Sequence, residues 1–211
     1  MNIVSLTQRN ESEVINEAVS ILKKGGSVVY PTDTVYGLGV NPFDDFAVGR
    51  LFRIKKRLRD KPIALIVKSI AMAKKLAYID TRKEKVLRSV WPGAVSIILR
   101  KRDIISPIIS AGTNTVSLRM PKNDFCINLL KAFNGPITST SANISGENHT
   151  NDASEFRNRF SREIYRPDLV IDAGVLDKTM PSTVLDLTKP VPKITRIGPV
   201  SPKDLTRILK L

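Results

Sequence analysis

Three short polar segments carry the side chains best able to bind or activate a ligand. The first is YPTDTVYGLG, residues 30–39, directly behind a short apolar run. Thr32 and Thr34 offer hydroxyls, Pro31 ends the strand, and Gly37 and Gly39 let the backbone approach a ligand or take φ > 0. The same residues also suit a tight structural turn with Tyr36 plugging the core. The second segment is KKRLRDK, residues 55–61, in which five of the seven residues are basic. Any one of them suits a helix C-terminus. Five together repel one another, which a nearby polyanion would offset. The third is STSANISG, residues 139–146, whose hydroxyls, amide and backbone N–H groups suit phosphate or sugar oxygens and equally suit nested turns.

Other chemistries lack their residues. Neither a G-x-x-x-x-G-K-[ST] phosphate loop nor a G-x-G-x-x-G turn after the first strand is present. The single histidine, His149, supplies no metal cluster and no Ser-His-Asp set, and reads as an exposed loop residue. The single cysteine, Cys126, forms no internal disulfide and no cysteine-based zinc site. It falls in the apolar pattern of a helix, so it is expected as a core thiol.

The net charge of +14 is unevenly placed along the 211 residues. Residues 1–50 hold 4 Lys/Arg against 6 Asp/Glu, residues 51–131 hold 19 against 5, and residues 132–211 hold 11 against 9. The basic excess therefore lies in the middle third and draws phosphate chemistry, whether of a nucleotide, an RNA or an anionic surface. A solvated surface tuned for solubility is the plainer account of the same charge. No run of about 18 or more apolar residues occurs and the N-terminus lacks a secretory pattern, so a soluble, cytoplasmic protein without membrane contact is expected.

The elements that must position these segments follow from periodicity. A helix over 11–24 turns Val14, Ile15, Ala18, Val19, Ile21 and Leu22 inward, with Asn10 and Glu13 as capping pair and Gly25-Gly26 as its stop. A helix over 44–58 turns Ala47, Val48, Leu51, Phe52 and Ile54 inward. Strands are expected at 27–31, 63–67, 94–100, 115–119, 136–140, 169–172, 182–187 and 193–196. Two short helices precede Trp91-Pro92-Gly93, the second opened by a Thr81–Glu84 capping box; others fall at 124–133, 152–161 and after Ser201-Pro202. The interleaving predicts an α/β fold with a twisted mixed parallel/antiparallel sheet and flanking helices, as one domain over 1–211.

Taken together and in order, the motifs resemble the YrdC-like family of threonylcarbamoyl-AMP synthases. Its PT-[ED]-T-V-Y-G-L-G loop reads here as Pro31 to Gly39, and its K-x-R and S-x-N elements as Lys55-Lys56-Arg57 and Ser141-Ala142-Asn143. Supporting matches are Trp91-Pro92-Gly93, TVSLRMP at 115–121, PSTVLDL at 181–187 and TRIGPV at 195–200. Two positions depart from the pattern: Lys61 stands before Pro62 where asparagine is common, and IVKSI lacks a histidine found in many members.

The resemblance implies a sheet curled around a basic concave pocket, and a short form without the extra C-terminal domain of longer relatives. It implies an enzyme that condenses L-threonine, bicarbonate and ATP, with Mg²⁺, to L-threonylcarbamoyladenylate and pyrophosphate. The product would pass to a threonylcarbamoyl transferase complex that modifies tRNA. Lys55 and Arg57 are then expected as catalytic, phosphate-binding residues. Lys61, Thr115, Ser139, Ser141, Asn143 and Arg196 fall on the ATP side, and Thr32, Arg119 and Ser182 on the threonine side, with Arg119 at the carboxylate. No metal-ligating residue is assigned. The same resemblance leaves two alternatives. One is a non-catalytic RNA-binding module, against which the 6% aromatic content speaks; the other is a paralogous relative lacking the activity. Weak tRNA contact is compatible with catalysis.

Overall fold

The computed structural model describes residues 1–177 and 180–209. Among these the strands are β1 (Asn2–Ser5), β2 (Val28–Tyr30), β3 (Gly37–Gly39), β4 (Leu65–Ile66), β5 (Val95–Arg100), β6 (Thr115–Arg119), β7 (Ile137–Thr138), β8 (Thr140–Ser141), β9 (Leu169–Asp172), β10 (Thr183–Asp186) and β11 (Lys193–Arg196). The helices are α1 (Glu11–Lys23), α2 (Asp45–Lys55), α3 (Ile70–Leu76), α4 (Thr81–Val90), α5 (Pro107–Ser110), α6 (Asp124–Phe133), α7 (Ser154–Phe160) and α8 (Pro202–Leu209).

The mixed α/β character holds, with the strands divided between two sheets. The first has the order β1-β9-β2-β3-β8; β1, β9 and β2 run parallel, and β3 and β8 are antiparallel to their neighbours. The second has the order β11-β10-β5-β6-β4-β7 and is likewise mixed. The division explains why 136–140 reads as one strand. Ile137–Thr138 pairs in the second sheet and Thr140–Ser141 in the first, with Ser139 between them bonded to Ala64 O at 2.7 Å.

Alternation along β2 shows how the layers share a core. Val28 and Tyr30 face α1 and α6, where they meet Val14, Leu22, Phe125 and Leu129. Val29 faces the opposite way, into a cluster with Leu51, Phe52, Ile97, Leu99, Val116 and Leu118. On α1 the residues buried are Val14, Ile15, Ala18 and Leu22, while Val19 and Ile21 sit at the margin of the face.

Two expected caps are replaced. Asn10 does not cap α1; its Oδ1 accepts from Thr7 N at 2.8 Å and its Nδ2 donates to Ser5 O at 2.9 Å, a local turn that consumes the side chain. At α4 the N-cap is Asp80, whose carboxylate accepts from Lys83 N at 2.8 Å. Aspartate outcompetes the following threonine for this position, and Glu84 pairs with Lys74 and Arg88 instead.

Candidate active site

The second sheet presents one face to the core and the other to a cleft of about 290 Å³. Val95, Ile97, Leu99, Val116, Leu118 and Leu185 point to the core. Their alternates Ser96, Ile98, Ser117, Arg119 and Val184, with Ser182 and Arg196, line the cleft. The walls come from three loops, around Thr32–Gly37, Arg57–Ala64 and Ser139–Ser141. Thus all three polar segments of the sequence reach one place.

The arginines define its charge. Among the described lining residues the guanidinium groups are those of Arg57, Arg119 and Arg196. Arg119 is buried on β6; it donates through Nε to Gly93 O at 3.0 Å, through Nη1 to Thr34 Oγ1 at 2.8 Å and through Nη2 to Asp33 Oδ1 at 2.5 Å. Arg196 donates to Ser182 O at 2.9 Å and Ser182 Oγ at 3.1 Å, and that hydroxyl shares a 2.7 Å bond with Ser96 Oγ. Burial lowers the Arg196 guanidinium from its ordinary value, and the fields of Arg119 and then Arg57 add to it.

Arg57 is delivered by the end of α2. Lys56 takes the left-handed conformation (φ 49°), its N–H bonds Arg53 O, and Arg57 N–H closes back on Phe52 O at 3.0 Å. This Schellman-type reversal throws the next side chain away from the helix axis. Arg57 then donates to Pro62 O at 3.0 Å, and burial lowers its guanidinium, an effect Asp60 opposes.

Lys55 and Asn143, expected at the nucleotide, sit behind the wall. The Lys55 side chain is 2% exposed and its Nζ donates to Ser141 O at 2.5 Å, Asn143 O at 2.7 Å and Asn143 Oδ1 at 3.1 Å. Its three donors are all used. Burial pushes its ammonium down to about 7, with Arg57 and Arg159 adding to the shift. Asn143 also accepts from Ser141 Oγ at 2.6 Å and donates to Glu147 O at 2.6 Å. For Asn143 the nested-turn alternative is the one observed.

The remaining expectations divide. Thr32, Ser139, Ser141 and Ser182 line the cleft with the arginines. The Thr32 hydroxyl donates to Val35 O at 2.7 Å and accepts from Thr34 N at 3.0 Å. Lys61 is exposed outside the cleft. Thr115 lies at the far end of β6 with its Oγ1 3.0 Å from Thr113 Oγ1, four residues from Arg119 and therefore about 13 Å along the strand. Ser117, one alternation closer, takes the cleft position. The period-2 pattern TVSLR could have found it. Ser96 was hidden because its strand is apolar on both faces.

Gly37 and Gly39 do not serve ligand approach through positive φ; they form β3. A Cβ on Gly39 would stand 2.6 Å from Ile137 Cγ2 and 2.7 Å from Tyr30 Cε1, and one on Gly37 would stand 3.0 Å from Tyr30 Cζ. Both glycines make room for Tyr30. Tyr36 is fully buried, edge-on to Phe156 at 5.3 Å, with its hydroxyl donating to Gly174 O at 2.7 Å. Cys126 is a core thiol, donating to Pro31 O at 3.1 Å and raised by burial. His149 is a partly covered loop residue.

Residues 20–198 match the Sua5–YciO–YrdC family model, described as telomere recombination. The chain is 32% identical over 208 residues to the threonylcarbamoyl-AMP synthase of Pyrococcus abyssi, covering 98% of this chain and 60% of that protein. The crystal structure of P. abyssi Sua5 complexed with L-threonine matches with a TM-score of 0.92 at 31% identity, over 99% of this chain and 61% of that one. The crystal structure of Escherichia coli YciO, an uncharacterized protein, matches with a TM-score of 0.83 at 28% identity, over 94% and 95%.

Proposed function

The chain belongs to the Sua5–YciO–YrdC family, and on that premise we propose that its cleft joins ATP to a carbamate of L-threonine. The observation that carries this reading is the convergence of Arg57, Arg119 and Arg196 on one hydroxyl-lined cleft. A polyphosphate and a carboxylate are the anions such a set accepts, through charge-assisted and bidentate hydrogen bonds.

In the proposed reaction the threonine amine attacks the carbon of bicarbonate, a C–O bond breaks, and water leaves as the N–C bond of the carbamate forms. A carbamate oxygen attacks the α-phosphorus of ATP, the bond to the β-phosphate oxygen breaks, and pyrophosphate leaves. Arg57 and Arg196 hold the phosphates and offset the charge that builds on the leaving group. Arg119, Thr32 and Ser182 hold threonine, and Ser139 and Ser141 border the nucleotide. Lys55 and Asn143 act from behind by fixing the 141–143 turn, while Lys61 and Thr115 lie outside the cleft lining. Catalysis comes from proximity and electrostatics, the carbamate bringing its own negative charge.

Among the described residues no group of three His, Cys, Asp or Glu side chains is disposed to hold a metal. Asp33, between the lining residues Thr32 and Thr34 in the chain, is engaged by Arg119. The Mg²⁺ expected with ATP would enter bound to the nucleotide phosphates and offset their charge.

The product, an acyl-adenylate, is suited to a downstream transferase that loads tRNA. The test is mass spectrometry of the product formed from ATP, L-threonine and ¹³C-bicarbonate. A species containing AMP, threonine and one labelled carbon is expected, and its absence from a nucleotide-binding protein would contradict the assignment.

A second reading, RNA binding outside the cleft, is favoured by one surface feature. Tyr78 is exposed, with the guanidinium carbons of Arg102 and Arg100 4.5 and 5.8 Å from its ring centre. Lys75, Arg82 and Lys85 nearby in the chain are exposed and form no ion pair among the described residues. RNA affinity that falls steeply with salt and drops on charge reversal of Arg82, Lys83 and Lys85 would support it. Insensitivity to that reversal would exclude this surface.

A further inference from the structure

Arg119 differs from the other two cleft arginines in having a carboxylate of its own. Its Nη2 lies 2.5 Å from Asp33 Oδ1, with the side chains 7% and 15% exposed. Asp33 does not itself line the cleft, whereas Arg119 does. Gly93 O and Thr34 Oγ1 take two further N–H groups, so among the described residues three of the five guanidinium donors are engaged by the protein. Arg57 and Arg196 meet only carbonyl and hydroxyl oxygens and form no ion pair among the described residues. Yet the three guanidinium groups are close enough for Arg196 to feel both others.

This arrangement poses a sorting problem. A phosphate entering the cleft is drawn to all three cations, and one seated on Arg119 would occupy the place of the amino acid. A largely covered carboxylate paired with Arg119 and outside the cleft lining changes the balance. Repulsion from Asp33 scales with the charge of the incoming anion, so a phosphate dianion meets twice the penalty of a single carboxylate at the same distance. A zwitterionic amino acid brings an ammonium as well, which Asp33 attracts.

We propose that Asp33 is a specificity-determining residue: by neutralising Arg119 it reserves that end of the cleft for a monocarboxylate and confines phosphate to Arg57 and Arg196. Asp33 acts through Arg119 and is not a catalytic residue. The assignment of threonine to Arg119 rests on the function proposed above; the exclusion of phosphate from Arg119 does not.

Calorimetric titration of inorganic phosphate into the wild-type protein and into Asp33→Asn, each with and without saturating L-threonine, tests the proposal. Wild type is expected to bind phosphate with an affinity that L-threonine leaves unchanged. Asp33→Asn is expected to gain a second phosphate site, at least about tenfold tighter than any wild-type phosphate binding at that end, from which L-threonine is a competitive displacer. Asp33→Glu, which keeps the charge, should behave as wild type. Phosphate competing with L-threonine in the wild type would overturn the proposal without recourse to a variant. So would wild-type phosphate stoichiometry in a folded Asp33→Asn. If the wild type bound no L-threonine while Asp33→Asn still gained its phosphate site, the threonine assignment would fall and charge sorting would stand.

Discussion

Lys55 concentrates the energetics of the site in one side chain. An unfolded lysine keeps its proton to about 10.5, whereas the buried ammonium here keeps it only to about 7. Between those values unfolding takes up a proton, so the stability contributed by this group rises with pH across about 7–10.5 and is lowest below 7. Lys55→Met abolishes the titration. The wild type should therefore gain on the variant by up to about 1.4 kcal/mol per pH unit between pH 7 and 9, as read from chemical denaturation. A constant difference would show that Lys55 titrates normally in the fold. At this scale the sequence made the identities legible and left part of the geometry unread. Spacing marked Lys55, Arg57, Ser141 and Asn143 as one set, yet which of them faces the ligand depends on burial. Lys55 ends inside because helix α2 carries it under the 141–145 turn, where Ser145 N–H bonds back to Lys55 O at 2.7 Å. Arg57 ends outside because Lys56 reverses the chain between them.

That reversal is an element-scale device with a measurable cost. A lysine at φ 49° is strained by about 1 kcal/mol relative to glycine. Its 2.9 Å ion pair with Glu163 involves a largely exposed Lys56 and contributes little. Lys56→Gly should stabilise the protein by about 0.5 kcal/mol, once the extra freedom of glycine in the unfolded chain is set against the relief. A loss of more than that amount on denaturation would mean the lysine side chain, and not the turn, holds the helix end. Strand β3 makes the opposite demand. Gly39→Ala puts a methyl against Ile137, the Tyr30 ring and Thr138 O, and should cost about 1–3 kcal/mol. An unchanged denaturation midpoint would show that β3 can shift away from Tyr30. Helices α1, α2 and α6 were legible from their 3.6-residue pattern because each buries a single stripe, whereas the four-residue α5 is too short to show a period. The short strands were not: β3 is built on two glycines, which read as a loop, and β7 and β8 read as one strand because the change of sheet occurs within a single residue, Ser139.

At the scale of the whole molecule, two mixed sheets form a cleft whose floor is one sheet face and whose walls are loops, two of them leading into strands of the other sheet. The excess of positive charge in residues 51–131 contributes Arg57 and Arg119 to that cleft, with Arg196 arriving from β11. The same middle third places Lys75, Arg82, Lys85, Arg100 and Arg102 on exposed surface, so net charge alone cannot assign a partner. No helix among the described residues is long and apolar enough to cross a membrane. The family match covers residues 20–198 and every residue that lines the cleft. Pyrophosphate release reads out the adenylate synthesis proposed for that cleft. Wild-type protein and Arg57→Ala are assayed with ATP, Mg²⁺ and bicarbonate, with and without L-threonine. Release that needs both threonine and bicarbonate, and that falls about 10²-fold or more in Arg57→Ala, is the expected result. Release indifferent to threonine, or undiminished in a folded Arg57→Ala, would contradict it.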